Sequence, residues 1–375
     1  MITGKELEKL KIIPPDAQIY AQVKASWDKI AKPLDGLGQF ETMFAQIGAI
    51  TGSSSLSIEK KVILTMCADN GIVAEGVSQS GQEVTAVVAG FMGQQASSVG
   101  KMARRAGVDV IPVDIGINTK KTLPGVRDCK VMQGTRDFLQ EPAMTEEEAL
   151  QALSVGIDLV RECKDKGYQL IGTGEMGIGN TTPAAAMSAV LTGLPPEEAT
   201  GRGAGLSDAG LEKKKKAVEM AVSRFYGKYP EYRNGTKEQY ERGELSAVTV
   251  LAELGGFDLA GMTGLFLGGA AAKIPVLMDG FLSTVSGLLA VLIRKEAKDY
   301  IFASHISTEP AGAAILQMLD LPAPLHMGMH LGEGSGAVAM IPLLRMGAKV
   351  YEEMSTFSDI SVEQYVDYQE KGERP

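Results

Sequence analysis

Two glutamates in this chain are set between glycines where one segment gives way to a helix-like one: Glu175 in GTGEMGIGNTTP and Glu333 in HLGEGSGA. Glycine flanks let the backbone come close to a ligand. A carboxylate in a tight, partly dry pocket holds its proton more firmly, which suits it to take a proton from a weakly acidic nucleophile. Either glutamate alone reads equally well as a solvated loop residue, but two of them beside helix starts weaken that reading. Further turns carry acids or hydroxyls: Cys67-Ala68-Asp69-Asn70-Gly71, Asp279-Gly280-Phe281 and Ser304-His305-Ile306-Ser307. Acids at several such turns suit a cation-like transition state or a proton transfer.

Other chemistry fits the same residues less well. Gly172, Gly174 and Gly177 match a G-x-G-x-x-G dinucleotide fingerprint, which also demands an acid about twenty positions on, ending a second strand. That region is LTGLPPEEAT, a proline-rich loop, so the context fails. GIGNTT resembles a phosphate loop but has no lysine before its threonines. No aliphatic run ends in two acids and Thr-Gly, the loop that pyrophosphate-activated phosphoribosyltransferases use with magnesium. The three histidines, His305, His326 and His330, are dispersed and read as packing or supporting hydrogen-bond groups. No metal-ligand spacing appears.

These turns need elements to hold them. Short apolar, β-branched runs recur at Lys61–Met66, Val108–Asp114, Tyr168–Ile171, Pro275–Met278 and Tyr300–Ala303, each ending at or within three residues of a Gly, Asp or Ser. Continuous apolar strands alternating with helical patterns indicate a parallel sheet buried on both faces. Thr145 with Glu148 forms a capping box opening a helix to about Lys166. Thr182-Pro183, Ser207, Ser307 and Ser335 mark further helix starts. The expected fold is α/β, a Rossmann-like doubly wound parallel sheet over residues 56–335. Residues 1–55 and 336–375 form a smaller helical lobe. In open α/β sheets the ligand crevice lies beyond the carboxyl ends of the strands, where all these turns fall.

Bulk properties narrow the class. The 375 residues carry 37 Lys and Arg against 46 Asp and Glu, a net charge of −9. The longest basic run, Lys213 to Lys216, is too short for a nucleic-acid face, so no nucleic-acid partner is expected. Three cysteines without metal spacing (Cys67, Cys129 and Cys163) fit a reduced, cytoplasmic setting. The charged first residues read as neither signal peptide nor anchor, and no apolar stretch is long enough to span a bilayer.

Over about residues 25 to 355 the chain resembles the nicotinate-nucleotide:dimethylbenzimidazole phosphoribosyltransferases, which activate the lower ligand of cobamides. The matching stretches are VILTMCADNGIVAEGVS, GTGEMGIGNTTPAAAMSAVLTG, GRGAGLSDAGLEKK, ELGGFDLAGMTGLFLGGAAAKIPVLMDGF, ASHIS and LHMGMHLGEGSGA. The resemblance implies that nicotinate mononucleotide and an aromatic base give an α-ribotide phosphate and nicotinate, without metal or other cofactor, in a homodimer. Glu333 matches the general base of the family, and Glu175 a second acid placed to stabilise oxocarbenium charge. Gly177, Asn180, Gly203, Lys214, Asp279, Gly280 and Ser304 match the phosphate and ribose turns. The other three residues of the lysine run then lie on a solvated helix face. Ser80, Val88, Met176 and Leu331 match the base pocket.

The chain departs from the family pattern at four places. KPLDGLGQFE, Lys32 to Glu41, stands where KPPGSLGRLE is usual, and Asn70 where His is usual. Val88 occupies a position that is often Gln, and Met176 one that is frequently Leu. None touches the general base. Losing an amide at position 88 points to a broadened acceptor range including phenol or p-cresol. A catalytically idle subunit pairing with a paralogue is the reading outside enzymology, and a nucleotide-hydrolysing glycosidase the other enzymatic one.

Overall fold

The apolar runs become strands because continuous β-branched sequence buries both faces of a sheet. In the computed structural model, which describes residues 2–366, they are β1 (Lys61–Ala68), β2 (Asp109–Gly116), β4 (Leu170–Met176), β5 (Val276–Met278) and β6 (Ile301–Ala303). A sixth strand, β3 (Arg127–Asp128), joins the edge beside β2. It carries no apolar signal, since both residues are charged and exposed, and so it was not among the five expected runs. Every strand pair is parallel and the order is β3-β2-β1-β4-β5-β6. This is the doubly wound α/β order, and its direction of growth reverses between β1 and β4. Their register pairs Met66 with Glu175 and Cys67 with Met176. Asp69-Asn70 and Gly177 therefore leave the sheet side by side at the switch point.

Helices follow the strands. Phe257–Ala272 is buried along nearly its whole length, as expected of a helix apolar on all sides. It crosses Glu146–Asp165 closely enough that a Cβ on Gly264 would lie 3.0 Å from the Cα of Gly156. Thr145 and Glu148 form the full capping box of Glu146–Asp165, and Ser207 caps Asp208–Lys228. Three other starts differ from expectation. The helix Thr181–Thr192 begins two residues early, after Asn180 rather than Thr182, and the Asn180 amide is engaged by carboxylates and gives no cap. Pro310–Leu319 starts after Glu309, while Ser307 accepts the Glu309 N–H (3.3 Å) outside the helix. Ser335 is the first residue of Ser335–Glu353 rather than the residue before it.

The chain divides into two compact units. The α/β unit holds Lys60–Ala339 and residues 2–13. Those first residues join it because Arg294 donates to the Glu8 carbonyl (3.1 Å) and Tyr300 to the Ile13 carbonyl. The second unit comprises Pro14–Glu59 and residues 340–366. Within it, Trp27 is fully buried against Phe44 and Tyr351, with ring centroids 6.1 and 5.0 Å away. Among the described residues no helix is long and apolar enough to cross a membrane.

Candidate active site

Turns that follow β4, β5 and β6 line a cleft. Of the residues singled out in the sequence, Glu175, Met176, Gly177, Asn180, Gly203, Asp279, Gly280 and Leu331 line it. Ser80 is exposed and Val88 half-buried on the helix Glu83–Gly93, and neither lines the cleft. Lys214, Ser304 and Glu333 are buried just outside its lining.

The loop Gly332-Glu333-Gly334 is held in an unusual backbone shape. All three residues have positive φ, 85°, 62° and 95°, a region that is costly for glutamate and occurs where the surroundings enforce it. Three contacts enforce it here. The Glu333 N–H donates to the Glu175 carbonyl (3.1 Å), and Thr65 donates to the Glu333 carbonyl (3.2 Å). The Glu333 carboxylate accepts the Val99 N–H (2.9 Å) at the start of the helix Ser98–Ala106, where an anion is favoured. Gly174 is required beneath the loop, since a Cβ there would stand 2.5 Å from the Glu333 carbonyl oxygen. The two glycine-flanked glutamates, far apart in the chain, are thus joined backbone to backbone.

Asp279 anchors the same loop from below. Its Oδ2 accepts the Gly334 N–H (3.1 Å), and its Oδ1 accepts those of Gly336 (2.7 Å) and Ala337 (3.2 Å). The carboxylate therefore serves the first turn of Ser335–Glu353, and its place in the cleft wall comes with that task. Burial pushes it up to about 7 against the pull of these donors. Ser304 bonds the Asp279 carbonyl (3.3 Å) and His305 Nδ1 (3.0 Å), tying β6 to the β5 turn.

Beside the Gly203 turn Lys214 is fully buried. Its ammonium donates to Thr181 Oγ1 (2.7 Å) and the Gly201 carbonyl (3.0 Å), which leaves one of three N–H groups for a ligand. Burial lowers it to about 8, while the Glu309 charge works the other way. Lys213 and Lys216 are exposed and Lys215 half-buried on the same helix. Glu309, unread in the sequence, accepts the Gly203 N–H (2.8 Å) and so already places an anion on that turn. His305 and His330 line the cleft as well, and burial lowers the His305 proton affinity.

Glu175, like Asp279, is a strongly perturbed carboxyl in the wall. Burial pushes it up to about 8, with Asp258 adding to the rise and the Asn180 amide opposing it. Asp258, also missed, is fully buried behind the wall. A lone acid at the head of an otherwise apolar helix was the available signal, because an unpaired buried charge is costly. Among the described residues no group of three or more His, Cys, Asp or Glu is arranged to hold a metal ion.

A strand-end cleft with Glu175 in its wall, joined to the Glu333 loop, agrees with what the chain is similar to. The model of the Phosphoribosyltransferase family matches residues 12–362. The nicotinate-nucleotide–dimethylbenzimidazole phosphoribosyltransferase of Clostridium acetobutylicum is 39% identical over 350 residues, covering 93% of this chain and 95% of that protein. The enzyme of the same name from Geobacter sulfurreducens is 39% identical over 355 residues, 94% and 96% of the two chains. The crystal structure of CobT from Thermus thermophilus superposes with a TM-score of 0.84 at 35% identity, covering 93% of this chain and all of that one. With its cleft, its sheet order and its full-length similarity in agreement, the chain belongs to the nicotinate-nucleotide–dimethylbenzimidazole phosphoribosyltransferase family.

Proposed function

We propose that this protein transfers the phosphoribosyl group of nicotinate mononucleotide to an aromatic lower-ligand base, giving an α-ribotide phosphate and free nicotinate. The observation that carries this reading is the backbone link between the Glu175 and Glu333 loops at the cleft wall. Substitution at the ribosyl C1′ passes through an oxocarbenium-like state. The protein must hold two flat rings in line, anchor the phosphate and accept one proton from the incoming base. Glu333 is the group we assign to the proton, and Met176 and Leu331 flank the ring site, with Ser80 and Val88 as outer residues of the base pocket. The phosphate takes the turns at Gly177, Gly203 and Gly280, with Lys214 behind them and Asn180, Asp279 and Ser304 shaping the ribose side. A phosphate on the Gly203 N–H would displace the Glu309 carboxylate from it. The relatives' name supports a benzimidazole acceptor over a phenolic one, and a catalytic chain over an idle partner subunit. We take the working form to be a cytoplasmic homodimer, in keeping with three free thiols. Incubation with nicotinate mononucleotide and dimethylbenzimidazole should yield ribotide and nicotinate in equal amounts. Nicotinate released without added base would instead make the chain a hydrolase.

Lys214→Ala is expected to weaken nicotinate mononucleotide binding by about 1.5–3 kcal/mol, while affinity for free dimethylbenzimidazole is unchanged. The pH dependence follows from the lysine's position. Its ammonium is lost as pH rises through about 8, so wild-type nucleotide affinity should fall there and that of the variant should not. For stability the sign is reversed. The lysine is lowered from 10.5, so its buried charge costs stability below about 8, and the cost fades towards 10.5. Calorimetric titration from pH 7 to 9 checks the binding. A larger loss on Lys216→Ala would move the phosphate site away from this helix face.

A further inference from the structure

Asp258 is the one charged residue of the helix Phe257–Ala272 and is fully buried, with no ion pair to Lys, Arg or His among the described residues. Its Oδ2 accepts from the Asn180 side-chain nitrogen at 2.8 Å. The same nitrogen donates to Glu175 Oε2, and Asn180 is itself 5% exposed. An amide nitrogen has two hydrogens, so one asparagine serves both carboxylates with nothing left over. Asp258 Oδ1 takes the Leu259 N–H (3.0 Å). Across the remaining gap stands the Asn70 amide, 1% exposed and without a hydrogen-bond partner among the described residues. Gly256 borders that gap, where a Cβ would meet Asp258 Oδ1 at 2.6 Å and Asn70 Oδ1 at 2.7 Å.

Two desolvated carboxylates bridged by one amide cannot both readily carry charge, and such a pair titrates as a unit. We propose that Asp258 is a positioning residue that, held beside Glu175 by the Asn180 amide from which both accept, shares one proton with it, so that Glu175 faces the cleft as a neutral acid. The charged neighbours favour that proton. Glu175 is faced by Asp258, by Asp279 after β5 and by Glu333 from its loop, and Asp258 is faced in turn by Asp69 at the end of β1. Cys67 on β1 lies near both carboxylates and is held protonated by burial. Burial raises both carboxyls, and Glu175 has the more acidic surroundings, Asp258, Asp279 and Glu333, so the proton settles on it. The catalytic consequence rests on the phosphoribosyl-transfer reading. A neutral Glu175 can donate a hydrogen bond to a substrate oxygen, and it spares an anionic nucleotide one more negative charge in an acidic cleft.

The test follows the proton itself. Infrared difference spectra of the unliganded full chain, from about pH 5 to about pH 9, report buried protonated carboxyls. A titrating component is expected in the wild-type protein and should be missing from Glu175→Gln. In Asp258→Asn its midpoint should fall by about one unit or more, a tenfold weaker hold on the proton. Asp279 is buried and titrates in the same range, so a carboxyl signal identical in wild type and Glu175→Gln, or a midpoint unmoved in Asp258→Asn, overturns the proposal. If Asp258→Asn does not fold, Asn180→Ala removes the shared donor and should raise the midpoint, and an unmoved midpoint there overturns it equally. No substrate is present, so a chain that transfers no phosphoribosyl group would sink the functional reading and leave this result standing.

Discussion

Glu333→Gln is expected to lower turnover with dimethylbenzimidazole on the order of 10²–10⁴-fold while nicotinate mononucleotide still binds, the deficit typical of a lost general base. The substitution separates chemistry from scaffold. A glutamine carbonyl oxygen can still accept the Val99 N–H that the carboxylate takes at 2.9 Å. The strained loop then keeps its shape, and only proton acceptance and one charge at a helix start are lost. That charge contributes roughly 0.3–1 kcal/mol to the helix. Glu333→Ala removes the contact as well and should show both the rate loss and a lower denaturation midpoint. Steady-state rates, with nucleotide affinity from calorimetry, distinguish the two variants. A glutamine variant with wild-type kcat would remove Glu333 from the proton-accepting role.

The largest effect on stability is expected from Asp279→Ala. Three buried N–H groups, those of Gly334, Gly336 and Ala337, depend on this one carboxylate. A buried donor left without an acceptor costs about 1–3 kcal/mol, and the three are close enough to relax together, so a loss of about 3–5 kcal/mol is expected. Folding stabilities are about 5–15 kcal/mol in all, so the variant should stand near the edge of folding. Asp279→Asn should fall between. Its carbonyl oxygen can keep the Gly336 and Ala337 donors, while its amide group meets the Gly334 N–H. Urea denaturation of the three proteins gives the ranking. Because Gly334 follows Glu333, activity should fall with stability even though Asp279 takes no proton in the reaction. An alanine variant as stable as wild type would mean that the loop finds other acceptors.

Much of this was legible in the residues. Strands buried on both faces leave continuous apolar runs, so five of the six were readable and with them a parallel α/β sheet. β3 was not, because two exposed charged residues at a sheet edge carry no burial signal. Side chains that bond within three or four positions also read well, as the Thr145–Glu148 capping box shows. The same rule misled at Thr182, since the amide of Asn180 is drawn to Asp258, 78 positions away, and local pattern is blind to such a partner.

Glycine placement by itself marked Glu175 and Glu333, because glycines beside an acid permit a close backbone approach and positive φ. That the two loops are one structure was decided in three dimensions. The Glu333 N–H meets the Glu175 carbonyl, and Gly174 leaves room for it. Sequence also marked Asp279 as a strand-end acid beside a ligand crevice, but which donors would surround its carboxylate depended on where the helix Ser335–Glu353 begins in space. The proton affinities belong wholly to the tertiary structure. Desolvation is set by what packs around a group, and Asp258 reaches Glu175 only because a helix start and a strand end meet at the point where the sheet order reverses.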